Sequence, residues 1–430
     1  MKKVAINTLG CKTNQLESSM IVENFVEYGF EVVKFSEHAD IYIINSCSVT
    51  AKSDNDSKYF VRQAKRKNPQ ATIVITGCYA QVSAEEASKI EDVDFVIGNT
   101  EKQNIAEIVL NKKDKVSVSN IMDETEFKGK KVYSASGRTR AVMKIQDGCN
   151  NRCSYCIIPY ARGKSRSNNL DNIIEQVKEL TDKGFTEIML SGIHIGLWGA
   201  DLEPKVSMLD LCKELEKIEN LKRYRLGSLY PTEITDEMIE IFVNSEKFCR
   251  HLHISLQSAD NSVLKAMGRN YPIETYINLV KKLVKLMPDI AVGSDIIVGF
   301  PGETHEMFEN TCKNLQNLPI SYLHVFPYSK RKGTPAAEMP NQINENEKKL
   351  RAETLKKIAL EKNSIFKHNQ LNKIFNVIVE KNRDKSTNKL KGITDNYLTV
   401  LFEGDDSLQG SLVSIQTSDI IDNQLHGKLL

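Results

Sequence analysis

"DGCNNRCSYC", residues 147–156, places Cys149, Cys153 and Cys156 four and then three positions apart, directly after the apolar run "AVMKIQ". Three thiols in one short, Asn-rich loop behind a strand can wrap a single small object. Structural zinc sites close all four positions, commonly with paired C-x2-C knuckles, and no fourth Cys or His lies nearby. Thiolates also hold iron-sulfur clusters, one iron to each cysteine. Three thiolates on a four-iron cube leave one iron bare, a vacancy suited to a substrate-like molecule. A zinc knuckle, or three cysteines that merely pack a core, is the alternative.

The surroundings of this loop set the architecture. Candidate strands "AVMKIQDG", "EIMLSGIHIG", "RYRLGSL", "HLHISLQS", "AVGSDIIVGF" and "SYLHVFPYS" alternate with "LDNIIEQVKELTDK", "LDLCKELEKIEN" and "IETYINLVKKLVKLM". The latter repeat apolar residues at three and four, the period of a helix. Six strands interleaved with helices predict a partial, TIM-like (β/α)6 barrel over 135–343, whose chemistry belongs at the strands' carboxyl ends.

Upstream, "KVAINTLGC", "DIYIINSC" and "ATIVITGC" read as buried parallel strands separated by helices at 16–29 and 53–67, with "DFVIGN" as a fourth run. Three of them end in a cysteine: Cys11, Cys47 and Cys78. Loops after parallel strands gather at one crevice, so these distant thiols converge. Core packing is their bland reading. This α/β unit spans 1–112. Residues 111–140 are polar and aperiodic and read as a linker.

Downstream, a charged amphipathic helix over 344–368 leads to "IFNVIVEK", "KLKGITDNYLTVLFEG" and "GSLVSIQTSDII". Alternation and glycine turns predict a small all-β barrel of the OB type over 369–430, a fold that often binds oligonucleotides. The fold class is therefore α/β multidomain with a terminal all-β module. A chain of 430 residues with 40% hydrophobic and 27% charged residues suits two or three globular domains. The N-terminal stretch lacks the apolar core of a secretory signal, and no run approaches the ~18 apolar residues of a membrane span. The reading is a cytoplasmic protein without membrane association. Nine cysteines in a reducing compartment are metal ligands or core residues rather than disulfides.

The C-x3-C-x2-C motif resembles that of radical S-adenosylmethionine enzymes. That resemblance implies a 4Fe-4S cluster on Cys149, Cys153 and Cys156 whose open iron binds the cofactor's amino and carboxylate groups, and cleavage to a 5′-deoxyadenosyl radical. It further implies cofactor contacts from Tyr155, against the adenine, and from Gly192, Ser228, Gln257, Asp295 and Gly299 at strand ends. Taken singly, a Gly or Ser after a strand is more often a turn residue.

Together, "GCKTNQLES", "INSCSVTAKSD", "GCYAQ", "QDGCNNRCSYCIIPYARGKSRS" and "VFPYSKRKGTPAAEMP" resemble the methylthiotransferase family over essentially the whole chain, the terminal barrel being similar to its TRAM domain. The resemblance implies a second 4Fe-4S cluster on Cys11, Cys47 and Cys78 that delivers sulfur. It also implies two molecules of S-adenosylmethionine, one giving the methyl and one the radical. An electron-donor protein and a sulfur source are implied partners, with identities left open. "CKTNQ", "CIIPYARG", "SGIHIG" and "GFPGET" look most like the subgroup that converts N6-threonylcarbamoyladenosine beside the tRNA anticodon to its 2-methylthio derivative. Isopentenyladenosine in tRNA is the runner-up, and a ribosomal protein a third substrate. An RNA-binding iron-sulfur sensor or electron carrier is the reading from a different class. Tyr230 stands where the resemblance leads one to expect an acidic residue, which puts a cofactor or substrate contact there in question.

A net charge of only +2 requires local clusters for RNA binding. Candidates are Arg162, Lys164 and Arg166 beside the cluster loop; Lys330, Arg331 and Lys332; and Lys381, Arg383 and Lys385 in the barrel. Solvated faces are the ordinary reading of such runs. His194 and His324 near strand ends read as structural, with substrate orientation as the alternative. His251 and His253 read as structural, and Cys212, Cys249 and Cys312 as packing residues. Trp198 lines the pocket or closes the barrel rim. No individual catalytic side chain is assigned.

Overall fold

The computed structural model describes residues 1–112, 114–129 and 139–430. The N-terminal apolar runs form a six-stranded parallel sheet in the order Glu31–Val33, Lys3–Thr8, Ile41–Ser46, Thr72–Gly77, Phe95–Ile97 and Val116–Ser117. Ile41–Ser46 is buried at every position, because helices cover both faces of the sheet. On one face Ile21 and Phe25 of helix Lys12–Glu27 meet Ile41, Ile43 and Val74. On the other, Val61 and Ala64 of helix Ala51–Lys67 meet Tyr42, Ile44 and Ile75.

The expected linker is partly structured. Val116–Ser117 pairs with Phe95–Ile97, so the sheet runs past residue 112. A two-residue edge strand carries too little alternation to stand out in a polar stretch. The rest of that expected linker includes residues 113 and 130–138, which lie outside the described ones.

Six parallel strands make the central arc: Ala141–Lys144, Glu187–Ser191, the run 223–229, His251–Ile254, Ala291–Val298 and Tyr322–Pro327. The third is shared. Arg223–Leu226 pairs with Glu187–Ser191, while Ser228–Leu229 pairs with His251–Ile254, so one strand joins a three-stranded and a four-stranded half. Apolar faces of helices Leu170–Asp182, Met208–Glu216 and Ile273–Leu286 pack on the arc through residues such as Val177, Leu211 and Leu283. This is the open barrel that the alternation predicts.

Helix Glu345–His368 spans two cores. Ala352, Leu355 and Ile358 join that of the arc, and Phe366 joins that of the terminal module. The module is a closed five-stranded barrel of Ile374–Val379, Leu390–Thr394, Thr399–Phe402, Gln424–Leu429 and Leu412–Ile421. Gln424–Leu429 was not anticipated as a strand, because "QLHGKL" buries only Leu425 and His426 and shows no clean alternation. Among the described residues, no helix is long and apolar enough to cross a membrane.

Candidate functional site

The N-terminal cysteines occupy equivalent positions at the carboxyl edge of their sheet. Cys11 precedes helix Lys12–Glu27, Cys47 follows strand Ile41–Ser46, and Cys78 opens helix Cys78–Val82 after Thr72–Gly77. Their loops press together. Gly10 has φ of +91°, and a Cβ there would sit 2.8 Å from both Cβ and Sγ of Cys47. Asn14 donates to the Leu9 and Ser46 carbonyls at 2.8 and 2.9 Å, tying the Cys11 loop to the Cys47 strand. Burial pushes the Cys47 thiol up, and Cys78 and Cys11 push it further, as only close neighbours do.

The second triad lies at the mouth of the arc. Burial raises the Cys156 thiol to about 12, with Cys153 and Cys149 adding to the rise. Thiols held neutral in this way lose their protons to a metal, which repays the burial of their charge. Among the described residues, the set of three ligating groups whose donor atoms lie within 4.8 Å of one another is His253, Asp295 and His324. Two groups of three cysteines suit iron-sulfur cubes, in which each thiolate takes one iron.

Groups to which the sequence reading gave no role at the cysteines surround the second triad. His194 Nδ1 stands 3.5 Å from Cys149 Sγ, and its Nε2 stands 2.5 Å from Glu233 Oε1. Burial opposes charge on this imidazole, but bonds to Cys149 and Glu233 outweigh it and raise its pKa to about 9. Tyr230, where an acid was expected, brings its hydroxyl within 3.7 Å of Cys153 Sγ and its ring 4.3 Å from that of His194. Arg269 lies 4.3 Å over the Tyr230 ring and donates to the Tyr155 hydroxyl at 2.9 Å. Only the odd residue at 230 was a signal; Arg269 sits in no motif.

The expected cofactor contacts fall along consecutive strand ends, in differing roles. Tyr155 packs against the buried cluster that contains Val263, Met267, Phe300, Tyr328 and Ala336. The exposed Ser228 hydroxyl lies 2.7 Å from that of Ser255. Gln257 holds φ of 76°, a left-handed conformation uncommon outside glycine, and exchanges backbone bonds of 2.9 Å with Asp295 and Ile297. Asp295 Oδ2 stands 3.3 Å from His253 Nε2. A Cβ on Gly192 would lie 2.9 Å from the Gln146 carbonyl oxygen. Gly299 turns the other way: its N–H donates to Glu303 at 2.6 Å, and a Cβ would strike Lys348 at 2.4 Å. Trp198 is buried and donates to the Asn168 carbonyl at 2.7 Å.

The RNA expectations need correction. Arg162 and Arg166 are buried and bonded within the protein, so neither offers charge to a phosphate. Arg331 is similarly used, donating to Ser48 at 2.8 Å and Asp54 at 2.7 Å across to the N-terminal sheet. Arg383 braces a barrel turn through Asp406, Asn388 and Gly404. Lys164, Lys330, Lys332, Lys381 and Lys385 are exposed.

Residues 143–315 match the radical SAM superfamily, and residues 3–98 match the uncharacterized protein family UPF0004. A radical S-adenosylmethionine methyltransferase, TsrM from Kitasatospora setae, shares the fold with a TM-score of 0.59 and 14% identity, covering 78% of this chain and 77% of its own. Fold and cysteine pattern thus define a radical S-adenosylmethionine enzyme. The threonylcarbamoyladenosine tRNA methylthiotransferase MtaB of Bacillus subtilis (strain 168) is 40% identical over 423 residues, 97% of this chain and 94% of its own. The tRNA-2-methylthio-N(6)-dimethylallyladenosine synthase of Lachnoclostridium phytofermentans is 35% identical, covering 96% and 92%. The chain belongs to the methylthiotransferase family of radical S-adenosylmethionine enzymes, whose cofactors are two 4Fe-4S clusters and S-adenosylmethionine.

Proposed function

We propose that this enzyme methylthiolates C2 of N6-threonylcarbamoyladenosine beside the tRNA anticodon, giving 2-methylthio-N6-threonylcarbamoyladenosine. Cys149, Cys153 and Cys156 hold one cluster, and Cys11, Cys47 and Cys78 the other. The observation that carries the reading is the joining of the two triads. Arg162 follows Cys156 by six residues, yet its Nε lies 3.4 Å from Cys78 Sγ of the other sheet. When bound, the clusters and S-adenosylmethionine supply a 5′-deoxyadenosyl radical and a sulfur to be methylated. The chain supplies placement. Holding sulfur and target carbon at one interface turns a bimolecular encounter into an oriented step. His194 and Tyr230 donate toward the Cys149 and Cys153 sulfurs and fix their direction, the part outer groups play around a metal. His253, Asp295 and His324 present polar groups from three adjacent strands for a nucleoside to bond.

The higher identity to the threonylcarbamoyladenosine relative, 40% against 35%, favours that nucleoside over the dimethylallyl one. A tRNA substrate places the enzyme in the cytoplasm, and the chemistry draws on an electron-donor protein and a sulfur source. Mass spectrometry of tRNA nucleosides from a strain lacking the protein tests the substrate. Loss of 2-methylthio-N6-threonylcarbamoyladenosine is the expected result; an unchanged level of it excludes this substrate. A sensor or electron carrier would yield no 5′-deoxyadenosine when the reduced, reconstituted protein meets S-adenosylmethionine.

A further inference from the structure

Arg162 leaves the loop of one triad and ends against the other. It is fully buried. Its Nε faces Cys78 Sγ at 3.4 Å, Nη1 bonds Glu17, and Nη2 donates to Asn14 Oδ1 at 2.5 Å and Glu17 Oε2 at 3.0 Å. Glu17 also receives Lys102 at 2.5 Å and Lys144 at 3.0 Å. Asp147 receives Lys144 at 2.6 Å and lies 3.6 Å from Arg162 and from Arg166. Four cations, Lys102, Lys144, Arg162 and Arg166, therefore share two acids, Glu17 and Asp147, with every cationic side chain below 10% exposed. Among the described residues these four cations outnumber the two acids they contact, beside a small cavity that Glu124, Glu126 and Lys128 also line, so an anion at the Cys78 sulfur adds to their compensation. The Cys78 sulfur is the further acceptor in contact with Arg162.

We propose that Arg162 is a positioning and charge-tuning residue for the N-terminal cluster. It grips the Cys78 sulfur through an N–H···S bond donated from the opposite domain, and it lends the buried cation excess to the cluster, raising its reduction potential. Hydrogen bonds to cluster sulfurs and net charge nearby set such potentials. This inference rests on the reading that Cys11, Cys47 and Cys78 ligate a cluster.

The test is an EPR-monitored redox titration of the full, reconstituted chain in which Cys149, Cys153 and Cys156 are all replaced by Ala, leaving one cluster to report. If that parent holds no iron and sulfide, the two-cluster reading fails before Arg162 is questioned. With the cluster present, Arg162→Gln is expected to retain its iron and shift the midpoint to more negative potential. Arg162→Lys, which keeps charge but loses the Nε geometry, is expected to shift it less. Glu17→Gln controls for damage to the network away from Cys78 and is expected to shift it upward, since a negative charge is removed. Failure of Arg162→Gln to hold iron while Arg162→Lys holds it also supports a need for charge. An unchanged midpoint in Arg162→Gln, a downward shift of equal size in Glu17→Gln, or misfolding of both Arg162 variants would overturn the proposal.

Discussion

Lys12 Nζ lies 3.5 Å from the Tyr397 hydroxyl and 5.4 Å from the centre of its ring, so the residue next to Cys11 touches the terminal barrel. Arg225 and Arg140 face the same ring at 4.6 and 5.7 Å, and His251 lies 4.7 Å from it. Tyr397 holds φ of 68°, which a residue with a side chain adopts when its surroundings demand it. One ring thus meets cations from the N-terminal sheet and from the central arc.

Tyr397→Leu removes the π face from three cations. Cation–π contacts contribute about 0.5–1 kcal/mol each, and more when desolvated, so a loss of about 1–3 kcal/mol is expected. Tyr397→Phe keeps the face and loses one long hydroxyl contact, so it should lie near the parent. Chemical denaturation of the three proteins measures both; equal destabilisation by Phe and Leu would assign the effect to the hydroxyl instead.

Glu187 makes the corresponding joint inside the arc. It is fully buried with Arg223 at 2.8 Å and Arg225 at 3.1 Å, and those arginines donate onward to the Asn376, Ile393, Thr394 and Asp395 carbonyls of the terminal barrel. Burial alone would push this carboxyl up, but Arg225 and Arg223 hold it below the usual glutamate range. Its folded pKa being depressed, its stabilisation is complete above the unfolded value and is lost as pH falls through the folded one. Glu187→Gln should cost about 3–5 kcal/mol at neutral pH by leaving buried guanidinium groups unpaired. The gap between variant and parent should narrow below about pH 4. A gap constant from pH 7 to pH 3 would show that the charge is not what matters.

Much of this was legible beforehand, for physical reasons. Period-two and continuous apolar runs gave the parallel sheets, and the C-x3-C-x2-C loop marked one candidate metal site, because its spacing puts three thiols in a single loop. Cys11, Cys47 and Cys78 were recoverable only through topology, since parallel strands deliver their ends to one edge. The fates of Arg162 and Arg331 were not legible. A basic run looks the same whether it is solvated or buried against acids from another domain, and Glu17 and Asp54 are far away in sequence. His194 reads as an ordinary strand-end histidine until its neighbours, Cys149 and Glu233, are placed.

The division of labour between the triads predicts unlike failures. Cys153→Ala should abolish 5′-deoxyadenosine formation, since the proposed function gives radical generation to a cluster on that triad. Cys47→Ala should retain cofactor cleavage and lose the methylthio product. Quantifying both products anaerobically, with circular dichroism to confirm folding, separates them. Equal loss of both products in the two folded variants would contradict separate roles.

His324 is exposed on strand Tyr322–Pro327, with Asp295 paired opposite it on the neighbouring strand. Although its edge meets solvent, partial desolvation of the ring against its neighbours, with His253 beside it, keeps its pKa below the ordinary histidine value, so at neutral pH it is an uncharged imidazole able to donate and accept. Loss of one hydrogen bond to a bound nucleoside is worth about 0.5–1.5 kcal/mol. His324→Ala should therefore lower kcat/KM for the tRNA by roughly threefold to tenfold, with folding unchanged. Steady-state rates on one purified tRNA measure this; an unaltered kcat/KM would remove His324 from the substrate's surroundings.

Lys381 and Lys385 are exposed on the terminal barrel, whereas Arg162 and Arg166 are not available to solvent. A lysine that neutralises a phosphate releases a counterion, so its removal flattens the dependence of log K on log salt by about 1 or less per contact. Lys381→Gln with Lys385→Gln should weaken tRNA binding and reduce that slope, while exposed positions leave stability within about 0.5 kcal/mol of the parent. Filter binding across a salt series reads both quantities. An unchanged slope in the double variant would show that this face of the barrel does not meet the phosphate backbone, and would shift attention to Lys164, Lys330 and Lys332 around the arc's mouth.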